Sequence, residues 1–150
     1  MTLLDAPSYD PRRSIIVRNT VIALVVLAVL GAIATWWFWT WPEQHRVNHF
    51  MQTVESGDLA GAYGLWNADP AWQQHPQKYS AYDFSKFQED WGAGSNYGKI
   101  QSHKVIMAKS FGNGVIVALT INGGKTPIFL RVNPKTKAIG FSPDELYTGP

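Results

Sequence analysis

Apolar and polar positions along the 150 residues change rhythm twice. From Asn19 to Pro42 no charged residue occurs, and the run VIALVVLAVLGAIATWWFW is apolar almost throughout. At about 1.5 Å of rise per residue, roughly 20 such residues reach about 30 Å, the thickness of a bilayer's hydrocarbon core. Beyond Pro42 the apolar positions recur at helical spacing. Val47, Phe50, Met51 and Val54 mark a first amphipathic helix ended by Gly57. Leu59, Ala62, Tyr63 and Trp66 mark a second, with Asp58 as its N-cap and Asp69-Pro70 as its stop. Phe84, Phe87 and Trp91 mark a third, capped by Ser80 or Asp83 and stopped at Gly92-Ala93-Gly94, and NADPAWQQHPQKYS between the second and third reads as a loop.

After Tyr97-Gly98 the pattern becomes that of strands. KIQSHKVIMAKSF, VIVALTI, PIFLRV and AIGFS are separated by Gly112-Asn113-Gly114, Asn122-Gly123-Gly124 and Asn133-Pro134-Lys135, three hairpin turns in succession. The expected fold class is therefore α+β. One transmembrane helix over residues 19–41 precedes an outer domain over residues 42–150, in which three helices pack on a curved four-stranded antiparallel sheet. Residues 1–18 form a cytoplasmic tail, with MTLLDAPSYDP predicted to be disordered.

The ends of the apolar run decide its topology. Trp36, Trp37, Trp39 and Trp41 gather at its C-terminal end, where indole rings favour the headgroup level. Arg12, Arg13 and Arg18 precede it, and Arg46 is the one Lys or Arg in the first 15 or so residues after it, so the positive-inside bias puts the N-terminus in the cytoplasm. These seven arginines and tryptophans are the expected membrane-interface anchors. The triplet Ala32-Ile33-Ala34 has the small-x-small form of a signal-peptidase site, yet the apolar run continues past Ala34, and a cleavable signal has an apolar region of only about 7–15 residues. An uncleaved signal anchor in the cell (inner) membrane is expected, with a periplasmic, extracytoplasmic domain. Arg12-Arg13 also resembles a twin-arginine signal, but orientation alone accounts for two arginines beside a span.

Composition narrows the chemistry. Lys and Arg total 13 against 11 Asp and Glu, interspersed after Trp41, so no basic stripe is present to neutralise phosphates and no nucleic-acid partner is expected. The absence of cysteine excludes disulfides, thiolate metal sites and cysteine nucleophiles. No Gly-rich phosphate loop occurs, and no cofactor is expected.

The opening Gly57-Asp58-Leu59-x-x-Ala62-Tyr63 of the second helix, then YSAYDFSKFQEDWGAGSNYGKI, then strands ending AIGFSPDEL, resembles the nuclear-transport-factor-2-like (cystatin-like) α+β superfamily over roughly Glu43 to Leu146. The resemblance implies a small cone in which the sheet wraps a helix. In that superfamily the hollow serves as an enzyme pocket, a ligand site or merely a core, and members often dimerise. For its enzymes, which use Asp, His and Tyr in the cone, the catalytic candidates here are Asp83, Asp90 and His103, set against their plain roles as helix cap, solvated helix flank and strand-end polar residue. His45 and His49 are four apart on one helix, but no obvious third ligand accompanies them and no metal site is assigned. Trp72, Tyr79, Tyr82 and Tyr97 exceed what a small core requires and form the candidate binding surface. The leading expectation is a membrane-anchored binding or assembly module whose partners are the lipid bilayer, neighbouring membrane proteins or a second copy of the chain. The alternative is a pocket enzyme or small-ligand carrier.

Overall fold

The computed structural model describes residues 11–38 and 40–147. It divides into two compact units, Met1–Trp39 and Thr40–Pro150. Of the stretch 1–11 expected to be disordered, residues 1–10 lie outside the described residues, as does the anchor Trp39, while Pro11 is helical.

The first unit is one helix, α1 (Pro11–Phe38). Its Arg12–Thr35 stretch of 24 residues is long and apolar enough to cross a membrane, and none of it is buried. At about 1.5 Å per residue this is about 36 Å, more than the roughly 30 Å of hydrocarbon. The helix begins eight residues before Asn19 and takes in Arg12, Arg13 and Arg18, so the basic cluster is helical.

In the second unit α2 (Trp41–Glu55) opens with Pro42 in its first turn, where the missing N–H costs no hydrogen bond. Val47, Phe50, Met51 and Val54 are buried along one stripe, and the helix stops at Gly57, whose φ of +85° suits a residue without Cβ. α3 (Leu59–Asn67) begins with Asp58 accepting from the Gly61 N–H at 2.9 Å and ends on Ala68 in the left-handed region. α4 (Phe84–Trp91) begins with Asp83 accepting from the Lys86 N–H at 3.0 Å. The segment between α3 and α4, expected as a loop, contains two 3-10 stretches, Trp72–Gln74 and Pro76–Tyr82. It is pinned both to α3 and within itself. The Trp72 indole donates to the Ala60 carbonyl at 3.2 Å, and the Tyr79 hydroxyl donates to Asp69 at 2.6 Å.

The strands form one antiparallel meander in the order β1 (His103–Phe111), β2 (Gly114–Ile121), β3 (Ile128–Val132), β4 (Ile139–Phe141). β1 and β2 pair from His103 opposite Ile121 to Phe111 opposite Gly114, with an irregularity between Val105 and Met107. β1 starts four residues later than the apolar run beginning at Lys99 suggests. There the Asn122 side chain replaces a ladder, its Oδ1 accepting from the Gln101 and Ser102 N–H groups and its amide donating to the Tyr97 and Lys99 carbonyls.

α2 packs on β1, β2 and β3, and α3 reaches β4. Val115, Val117, Leu119 and Ile121 of β2 meet the helical stripe in one core. The helices bring rings to it. Phe50 lies 5.0 Å from Trp91 and 5.5 Å from Trp66 between ring centroids, and Tyr63 lies 4.8 Å from Trp72 and 5.1 Å from Phe87.

Candidate functional site

The sheet and α4 leave a solvent-open cleft of about 330 Å³ between the last turn of α4, the loop after it, and the ends of β3 and β4. Glu89, Asp90 and Trp91 come from α4, Asn96 and Tyr97 from the loop, and Ile128 and Phe141 from the sheet. Local sequence explains each contribution. The helical stripe turns Trp91 inward and leaves Glu89 and Asp90 exposed, and the glycine-rich stop at Gly92 and Gly94 carries the chain back across the cleft. Phe141 stacks on Trp91 with centroids 5.9 Å apart and planes 8° from parallel, so the aromatic wall is continuous with the core.

The Asp90 carboxylate accepts a hydrogen bond from the Tyr82 hydroxyl at 2.7 Å. Burial, then that hydrogen bond to a carboxylate, pushes the Tyr82 hydroxyl well above the ordinary tyrosine range. It therefore keeps its proton and acts as a donor. The Trp91 indole N–H is buried without a well-formed hydrogen bond; its interaction with the Tyr82 oxygen works in the opposite sense, favouring ionisation, and is outweighed.

The sequence candidates separate in space. Asp83 caps α4. Asp90 and Tyr97 meet in the cleft. His103, at the start of β1, is engaged on both ring nitrogens by α2, with Nδ1 2.6 Å from Glu55 Oε1 and Nε2 2.9 Å from Asn48 Oδ1. Glu55 can only accept, so Nδ1 carries a hydrogen. A carboxylate–histidine pair of this kind serves a nucleophile in many enzymes, but here Asn48 occupies the second nitrogen and the triad ties α2 to the sheet. Trp72 and Tyr79 are half-buried around Tyr63, and Tyr82 links Trp66 to Asp90. Of the four surface aromatics, Tyr97 is the one that lines the cleft. His45 stacks on Trp41 at 5.3 Å, and among the described residues no three His, Asp or Glu side chains are grouped to hold a metal ion.

Sequence reasoning missed Asn48 and Glu55 as the partners of His103, and Glu89, Asn96, Ile128 and Phe141 as cleft residues. A signal for the first pair was present, since Asn48 and Glu55 are seven apart on α2 and share a face. The sheet side of the cleft gave none, because it joins α4 across about 50 residues of chain.

A second groove, about 360 Å³, runs between α2 and α3 along Arg46, Gly61, Gly64, Leu65 and Pro70. Arg46 donates there to the Leu65 carbonyl at 3.1 Å, and its Nε is buried without a hydrogen bond. No protein-family model, curated protein or solved structure matches the chain.

Proposed function

We propose that the chain is a single-pass membrane protein, anchored by α1 in the cell membrane with its N-terminus in the cytoplasm, whose C-terminal domain acts outside the cytoplasm as a binding or assembly module. The observation that carries this reading is α1 itself, 24 consecutive residues from Arg12 to Thr35 able to span a bilayer and shielded by no core. Arg12, Arg13 and Arg18 at its N-terminal end support the orientation. The domain follows with no linker in the sequence, so its reach is confined to the membrane surface and to proteins embedded beside it. The order of three helices before a four-stranded meander supports grouping the domain with the nuclear-transport-factor-2-like superfamily.

Affinity purification of the full chain from gently solubilised native membranes, with mass spectrometry of everything retained, tests the reading. Stoichiometric membrane proteins or a second copy are expected. A chain that stays soluble on cell lysis, or starts at Thr35, overturns the anchor. Recovery of the chain alone favours the second reading, a small-ligand carrier or pocket enzyme, for which the meeting of Asp90 and Tyr97 in one cleft speaks.

A further inference from the structure

The cleft at the end of α4 has a chemical bias. Glu89 and Asp90 are adjacent and exposed, and among the described residues no Lys, Arg or His side chain forms an ion pair with either. Tyr82, which donates to Asp90, is a neutral donor, so it orients the carboxylate without cancelling its charge. Two aromatic rings are open to solvent at the same place, Tyr97 at 45% and Phe141 at 52% exposure. At about 330 Å³ the space lies at the small end of ligand sites.

Carboxylates attract any cation, and the rings choose among them. A ring face favours an organic cation, which is less strongly hydrated than a metal ion and sheds its water at lower cost. A hard metal ion needs several oxygen ligands in a shell, and two exposed carboxylates beside aromatic carbon do not supply one. We propose that this cleft binds an organic cation, an ammonium or guanidinium group, with Glu89 and Asp90 supplying the charge and Tyr97 and Phe141 the aromatic faces. The assignment builds on the domain's being a binding module and is independent of the anchor.

The full-length chain in detergent micelles is titrated with choline, with the acetyl methylamides of lysine and arginine, and with the neutral isostere of choline in which carbon replaces nitrogen. Nitrogen–proton correlation spectra follow the Trp91 indole and the Tyr97 amide. Saturable shifts are expected with the cations, and binding weaker by about tenfold or more with the isostere and in the Glu89→Gln/Asp90→Asn double variant. Tyr97→Ala, at an exposed position, weakens binding several-fold without lowering the melting temperature. A best response to choline marks a small quaternary ammonium compound as the source, and a best response to lysine or arginine marks a basic segment of a partner; either supports the proposal. Equal binding of choline and its isostere overturns it, as does the absence of any shift or cation binding that survives in the folded double variant. Should the double variant fail to fold, the isostere comparison on the unaltered chain and Tyr97→Ala decide. Membrane insertion of the same preparation is scored separately by alkaline extraction, so loss of the cation site and loss of the anchor are told apart.

Discussion

At Asp69 the segment after α3 closes on a single carboxylate. The Tyr79 hydroxyl donates to Oδ2 at 2.6 Å, the Ala71 N–H donates to Oδ1 at 3.0 Å, and His75 and Lys78 stand 3.3 and 3.8 Å away. The Tyr79 hydrogen bond is the largest influence and holds Asp69 below the ordinary carboxylate range. The sign of the linkage follows. A carboxyl group whose pKa is lower folded than unfolded binds fewer protons in the native state, so its stabilisation is present above the unfolded value of about 3.9 and is lost as pH falls through the folded one. Tyr79→Phe, which deletes the hydroxyl and keeps the ring against Tyr63, is expected to move the Asp69 midpoint upward in a carboxyl-carbon titration. Less stability is then lost between the unfolded value and the folded one, and the Asp69 contribution is exhausted at a higher pH. An unmoved midpoint would show that the backbone N–H and the nearby cations hold Asp69 by themselves.

Helix ends and helix faces were the most legible level of the chain, because both are local. The buried stripes of α2, α3 and α4 follow from the spacing of apolar residues, and the Asp58 and Asp83 caps from a short acidic side chain just before each stripe. For Asp83 the cap predicts a specific response. Asp83→Ala is expected to destabilise the domain by about 1 kcal/mol in urea unfolding, while Asp83→Asn, which can still accept from the Lys86 N–H, costs less than half as much. A loss on Asp83→Asn as large as on Asp83→Ala would mean that charge, and not capping, is what the position supplies. What was not legible is whatever depends on two distant segments meeting. The 3-10 turns after α3 exist because Trp72 reaches Ala60 and Tyr79 reaches Asp69, and neither pairing leaves a period in the sequence. The late start of β1 depends on Asn122, which reads as an ordinary turn residue until its amide is seen bonding four backbone groups across the hairpin end. The cleft is of the same kind. Asp90 and Tyr97 could be named from the sequence, but Phe141 and Ile128 join them only through the order of the meander.

For the molecule as a whole, the two units Met1–Trp39 and Thr40–Pro150 differ in the surface they present. Thr40–Pro150 encloses an apolar core, whereas α1 exposes apolar side chains on successive faces, Leu24, Val25 and Val26 among them, the surface that suits a helix in an apolar medium. In the proposed single-pass arrangement, the side of the bilayer that receives the domain turns on three arginines. The bias they exert acts at insertion, so a label that reads sidedness in intact cells tests it directly. The absence of cysteine makes the chain suitable, since one engineered thiol is then the only reactive one. With Lys135→Cys, at an exposed position in the turn between β3 and β4, a membrane-impermeant maleimide is expected to label the domain without permeabilisation. With Ser8→Cys, ahead of the arginines in the sequence, labelling is expected only after the membrane is opened. The reverse pattern would place the domain in the cytoplasm, and with it any organic cation that the cleft binds.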